Sequence, residues 1–487
     1  MPASAPATGA AALDLPREAE GEIAYFLDGV LFLDSANAPE TFFCLALPQP
    51  ALQCAGSLPG ESGRVQIELS LTDVDAAGNR LLERSQRLDL PCPGGDNGVP
   101  EDALRGDLDR LVYLRVPRDG DTPEFELCVE DLNAVRAGLL YQMRDEKKRG
   151  LVHARYPAAD IRDSVGLSGC LFLWQFDPQA YELQGGFWIS EAEGRRAELI
   201  PHPARMYGLR NPAVRLYLEA YGLDGEAVDV VTTVSHWQQE APLYADTTRL
   251  RLPASRSALV RELDVSGLAA GSYTVAVGVS PHGGGTALHR AAGEFQMLWR
   301  AESWTQSQQQ LLGNASLLLT EEELLRFGEL PPGEREVLAS RFWVGIDGPQ
   351  GDMDGPTQGL FRQRVETADG RFGGRVRGSQ TDRGKVFVRF GEPDEVHKEL
   401  LPRESDRIAF FLEREIDDAE RSDAGSPRRR SPEETSAYEV WYYVSWGAPL
   451  LPQAEPPNRG RPLEFIFVDE LGTGDYRLIH TNVFGGM

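Results

Sequence analysis

The run RVQIELSLT, residues 64–72, puts Val65, Ile67, Leu69 and Leu71 on one side of an extended chain and Gln66, Glu68 and Ser70 on the other. DVDAAGNRLLERS follows, supplying Asp, Gly and Asn for a hairpin turn before Leu81 opens the return strand. Upstream, EIAYFLDGVLFLD and TFFCLALP read as a strand pair broken at Asp28-Gly29, and downstream RLVYLRVP and PEFELCVEDL add strands. Period-two runs, frequent turns and little helical pattern predict an antiparallel β-sandwich over 21–154, behind a flexible Ala/Pro-rich tail over 1–20. The same pattern returns in AVRLYLEAYGL, AVDVVTTVSHW and RELDVSGLAAGSYTVAVGVSP, where Tyr273, Val275, Val277 and Val279 alternate after Gly271. A second sandwich over 155–299 is the consequence.

Near residue 300 the period changes. LTEEELLRF pairs Thr320 with Glu323 three positions on, a capping box ahead of Leu324 and Leu325. PPGEREVLASRFWVGID predicts a second short helix ending near Gly345, with Val337, Leu338 and Phe342 sharing a face, so 300–345 reads as a helical connector. The remainder, 346–487, reads as α+β, with strands at GKVFVRF, YEVWYYVSW, LEFIFVDE and DYRLIHTNVF. A charged, Ser/Pro-rich segment at about 413–437 is too poor in apolar residues to offset its ordering entropy and is expected to be a mobile loop. The predicted class is mostly β and multidomain: two antiparallel β-sandwich domains, a short helical connector and a C-terminal α+β domain.

Charge narrows the function. The 487 residues carry a net charge of −26, which opposes binding to nucleic acid or anionic lipid and favours a basic or cationic partner. No stretch approaches the roughly 20 apolar residues of a membrane-spanning helix. The five cysteines form no C-x-x-C pair, and their odd count leaves at least one thiol free with at most two disulfides. MPASAPATGAAALDLPREAEGE has neither the basic nor the apolar region of a secretory leader, which keeps a cytoplasmic location open as an expectation. The seven histidines are scattered, and no nucleophile elbow, phosphate loop or dinucleotide loop occurs, so no cofactor and no metal site is predicted. DGPQGDMDG gathers Asp347, Asp352 and Asp354 but lacks calcium-loop spacing, so a flexible acidic loop is expected there.

Candidate chemistry concentrates in GSQTDRGKVFVRFGEPDEV, residues 378–396. Thr381 and Asp382 are types that bond nearby amides in a turn, and Gly384 fits a positive φ. Arg383 would pair with Asp382 or Asp394, while Val386, Val388 and Phe390 enter the core and Gly391-Glu392-Pro393-Asp394 makes a second turn. The chemical alternative takes two carboxylates from Asp347, Asp382, Asp394 and Glu395 as acid and base, which requires them about 5–10 Å apart in a cleft. In YEVWYYV, alternation sends Tyr438 and Tyr442 to one face and Trp441 and Tyr443 to the other. One set belongs in the core; the other lies under helices or forms a recognition surface. Thr381, Asp382, Arg383, Asp394, Trp441 and Tyr443 are therefore the binding candidates, and no residue is assigned as catalytic.

Together, RFWVGID, FRQRVETADGRF, GSQTDRGKVFVRFGEPDEV and YEVWYYV resemble the bacterial GWxTD domain in order and spacing. Gly378, Thr381, Asp382, Arg383 and Gly384 stand in its signature, Gly391, Pro393 and Asp394 follow, and Phe342, Trp343 and Asp347 precede it. Ser379 occupies the position of the signature Trp. The resemblance is strong over about 335–480 and looser before it, where PHPARMYG and LYLEAYGL are similar to the family's β-rich upstream regions. It implies a bacterial protein placed outside the cytoplasm, and it names no reaction. The expectation is a non-enzymatic scaffold or binding protein of the cell envelope. The alternatives are a carboxylate-dependent hydrolase with a site near Asp382 and a carbohydrate-binding β-sandwich.

Overall fold

Two compact units make up the chain: one takes Met1–Gln308 with Pro331–Val337, the other Gln309–Leu330 with Leu338–Met487. The computed structural model describes residues 15–48, 52–55, 63–75, 77–92, 109–118, 123–135, 147–162, 164–223, 227–237, 239, 241–281, 289–305, 308–350, 354–373, 376–400, 436–444, 447–451, 462–469 and 474–483. The loop expected at 413–437 lies outside these up to residue 435.

The protein is β-rich, as the period-two runs predict. A four-stranded antiparallel sheet (Arg17–Glu18, Phe26–Leu33, Pro39–Pro48, Asp109–Pro117) and a five-stranded one (Glu20–Gly21, Lys147–Arg155, Glu124–Val135, Arg64–Val74, Arg80–Pro91) share one core. Val65, Ile67, Leu69 and Leu71 are buried in it with Phe43, Phe125 and Leu127. Asp75 closes the predicted hairpin by accepting the amides of Ala77 and Asn79.

Two details differ from the sequence expectation, and the cysteines fall within it. Arg17–Glu18 pairs with Phe26–Leu33, so the chain is already strand before residue 21. Phe26–Leu33 runs unbroken through Asp28-Gly29, because Asp28 is buried against Arg205 and the bare Gly29 makes room for the Phe43 ring. Of the cysteines, Cys54 and Cys92 are joined, and Cys44, Cys128 and Cys170 are free thiols.

The second sandwich faces an eight-stranded sheet against a five-stranded one, around Phe172, Leu216, Leu218, Val275, Val277 and Phe295. Its pairings are antiparallel except that Met206–Gly208 runs parallel to His289–Leu298. The two sandwiches meet through a further apolar cluster that mixes Val30, Phe32 and Phe42 with Leu171, Leu173 and Tyr217. At its rim, fully buried Glu219 accepts from Arg196, Arg256, Tyr217 and Tyr221. The same two arginines reach the carbonyls of Leu33 and Asp34 in the first sandwich.

Helices follow: α1 (Ala301–Thr305), α2 (Gln308–Ala315), α3 (Glu321–Glu329), α4 (Pro332–Asp347), α5 (Pro356–Phe372) and α6 (Asp382–Phe390). Thr320 and Glu323 form the predicted capping box of α3. α6 is a correction, since GKVFVRF was expected as a strand. Val386, Phe387, Val388 and Phe390 are all buried, and in so short a run the Val386, Val388 and Phe390 alternation with Lys385 and Arg389, in β-branched and aromatic residues, also fits a strand. A four-stranded antiparallel sheet closes the second unit: Glu395–Glu399, Ala437–Tyr443, Leu463–Asp469 and Arg477–Thr481. α5 and α6 pack on one face of it, over Trp441, Tyr443, Phe465 and Phe467.

Candidate functional site

The signature-like residues sit at the start of α6. Thr381 is its N-cap: the hydroxyl accepts the Gly384 amide at 3.1 Å and donates to the Gly378 carbonyl at 2.7 Å. Gly384 has no positive φ; it is helical, and the reason for glycine is proximity. A Cβ there would lie 1.9 Å from the Gly378 carbonyl oxygen, and one on Gly378 would lie 2.0 Å from the Ala368 carbonyl oxygen of α5. Two glycines thus stack the turn directly on α5. Asp369 completes the seat, accepting the Ser379 amide at 2.8 Å and the Arg377 guanidinium. Burial pushes the Asp369 carboxyl up, but the bonds from Ser379 and Arg377 outweigh it and hold it below the usual range.

The charged members of the motif face the sheet. Asp382 accepts the Leu478 amide of the last strand at 2.8 Å. Arg383 pairs with neither Asp382 nor Asp394; its guanidinium bonds Glu439 at 3.2 Å and the Gly474 carbonyl at 3.2 Å, and lies 4.1 Å over the Tyr476 ring. Glu439 also accepts from Lys398 at 2.7 Å and from the Trp441 indole at 3.2 Å. Burial would raise the Glu439 carboxyl, yet Lys398 and Arg383 together hold it below the ordinary range. This makes a charge-paired cluster bridging α6 and two strands. At the far end of α6, Gly391 takes φ +81°, and Arg364 of α5 donates to the carbonyls of Val388 and Ala448. Asp394, after Pro393, accepts the Val444 amide at 2.6 Å. Tyr443 donates to the Gly391 carbonyl at 2.9 Å.

Trp441 and Tyr443 are buried on the helix-covered face, which leaves no surface role for either. Tyr438 and Tyr442 lie half-buried on the opposite face with Val440, Ile466 and Val468. Phe342 and Trp343 are half-buried in α4, where the Trp343 ring is 5.4 Å from Phe361. Asp347 is engaged as well: its carboxylate accepts the Thr357 and Gln358 amides at the start of α5, and Asp354 pairs with Arg362. Among the described residues no three His, Cys, Asp or Glu side chains gather as metal ligands.

The structure thus gathers Thr381, Asp382 and Arg383 around one turn, while Asp394 lies at the other end of the helix. Asp369, Glu439, Lys398 and Tyr476 join them, and Arg364 braces the far end of α6, although the sequence pattern did not mark these residues as candidates. One signal was present for Glu439, which shares the alternation of Trp441 and Tyr443 and so places a carboxylate at a core-facing position.

Comparison with known proteins adds little to this geometry. No family model and no curated protein matches the chain. Among solved structures it is similar to a red sea bream transglutaminase at 6% identity and TM-score 0.15, over 56% of this chain and 31% of that one. A β-D-mannosidase from Dictyoglomus thermophilum matches at 10% identity and TM-score 0.16, over 53% of this chain and 29% of that one. CBD12 from CALX1.2 matches at 10% identity and TM-score 0.13, over 51% of this chain and 77% of that one. The chain spans under a third of the length of the first two. Likeness at these scores carries no argument about function.

Proposed function

We propose that the protein is a non-enzymatic scaffold or binding protein of the bacterial cell envelope, built on a diverged GWxTD-type module and acting through a protein partner. One observation carries this reading: Asp382 accepts the Leu478 amide and Arg383 pairs with Glu439, so both are tied to the sheet beside their helix. A catalytic carboxylate must present a face to substrate; these brace a helix against a sheet. The Cys54–Cys92 bond supports a place outside the cytoplasm, where disulfides persist. Fractionating cells that express the gene from its native start should find it outside the cytoplasm, and an exclusively cytosolic pool would contradict that placement. Panels of ester, glycoside and peptide substrates should show no turnover that Asp382→Ala abolishes; such turnover would establish the hydrolase instead.

A second reading, carbohydrate binding by the second sandwich, has one feature in its favour. A recess of about 390 Å³ is lined by Gln179, Tyr181, Glu182, Gln184, Ser190 and Glu191, the amides, carboxylates and hydroxyls that bond sugar hydroxyls. A glycan array tests it directly.

A further inference from the structure

We infer that the first turn of α4 is a titratable clamp, holding the end of the second sandwich more tightly in acid than in base. The turn is seated backbone against backbone. A Cβ on Gly333 would lie 2.2 Å from the Gly271 carbonyl oxygen, so only glycine permits the approach, and the Gly333 amide donates to the Gln296 side chain at 2.8 Å. Two glutamates then hold the sandwich by its own amides. Glu334 accepts the Ser272 amide at 3.2 Å and lies 2.8 Å from His236 Nε2, an ion pair whenever that imidazole is protonated. Glu336, one helical face away, accepts the amides of Trp299 at 3.1 Å and Arg300 at 3.2 Å through Oε1.

The two oxygens of Glu336 are in unequal circumstances. Oε1 takes both amides, whereas Oε2 is buried without a hydrogen-bond partner. Oε2 is thus taken out of water without a hydrogen bond to replace the lost solvation, which penalises the ionised form. Accordingly burial raises the Glu336 carboxyl above its ordinary 4.5, against the opposing bonds from Trp299, Ser303 and Arg300. The other groups facing the turn do not reverse the sign. Tyr273 beside Glu334 is pushed up by burial and stays protonated, and Arg335 neighbours Glu18.

A carboxyl whose seated form binds its proton more tightly than the released form stabilises the seated form fully below the ordinary value. That contribution is lost as pH rises through the raised one. The clamp is therefore stronger at low pH. Asp and Glu residues that accept backbone amides usually do the opposite, since their carboxyls are held low; here the unpartnered Oε2 decides.

Hydrogen exchange of the full chain between pH 4 and 8.5, corrected for intrinsic rates, reads this out at the amides of 272, 299, 300 and 333. Protection there should fall with rising pH by up to about tenfold per pH unit through the titration. Peptides covering Val214–Leu218 in the sandwich core provide the internal reference. Glu336→Gln keeps the Oε1 acceptor and removes the charge, so most of the dependence should disappear. Wild-type protection that stays constant relative to the core peptides would overturn the clamp, as would an undiminished dependence in Glu336→Gln. Because the wild-type profile alone can refute it, a variant that fails to fold does not protect the inference.

Discussion

Glu219→Ala is expected to destabilise the tandem sandwiches by about 3–5 kcal/mol, the cost of breaking a buried ion pair from one side. Glu219 is fully buried and accepts Arg196 Nε at 2.7 Å, Arg256 Nε at 3.1 Å and the phenols of Tyr217 and Tyr221 at 2.8 Å each. Burial, reinforced by the Glu219 charge, pushes both phenols up, so they remain donors across the physiological range. Removing the carboxylate strands two guanidinium groups and two hydroxyls at once. Glu40, 3.0 Å from Arg196, would compensate only one of them. Glu219→Gln should cost less, because the amide oxygen still accepts. Denaturant unfolding followed by tryptophan fluorescence measures both variants; a loss under about 1 kcal/mol for Glu219→Ala would show the network to be dispensable.

Gly384→Val is expected to disrupt the second unit, at about 3 kcal/mol or more. The first atom of any side chain there would stand 1.9 Å from the Gly378 carbonyl oxygen, and neither backbone can yield independently. Gly378 is itself pinned between Ala368 and Gly384, so relief would require α6 to lift from α5. Gly359 supplies the contrast. It lies inside α5, and a Cβ added to it would meet nothing within 4 Å, so Gly359→Ala should be neutral or stabilising by about 0.5–1 kcal/mol. Equal melting shifts for the two glycines would refute the packing argument.

Elements differ in how openly the sequence declares them. Strands with one wet face, such as Arg64–Val74, show themselves by alternation, and the α3 cap is written in Thr320 and Glu323. α6 was not legible as a helix, because in nine residues the alternation of Val386, Val388 and Phe390 with Lys385 and Arg389 fits a strand as well as a helix, and β-branched and aromatic types favour the strand. Asp28 looked like a turn residue for a similar reason: nothing local says that Arg205, 177 positions away, will neutralise it. At the candidate site, the turn's capping residue and its buried apolar positions could be read locally. Its partners, Glu439 for Arg383 and the Leu478 amide for Asp382, could not, since they arrive from strands far along the chain.

Thermal melts of Asp382→Ala and Asp382→Asn beside wild type decide whether the Thr381–Gly384 turn is architectural. Asp382 holds the last strand by accepting the Leu478 amide at 2.8 Å. Losing that acceptor should cost about 1–2 kcal/mol in the alanine variant, while asparagine, which retains an oxygen, should recover much of it. A melting temperature for Asp382→Ala equal to or above wild type would contradict an architectural turn, since charged groups kept for function are those whose removal leaves stability unchanged or improved.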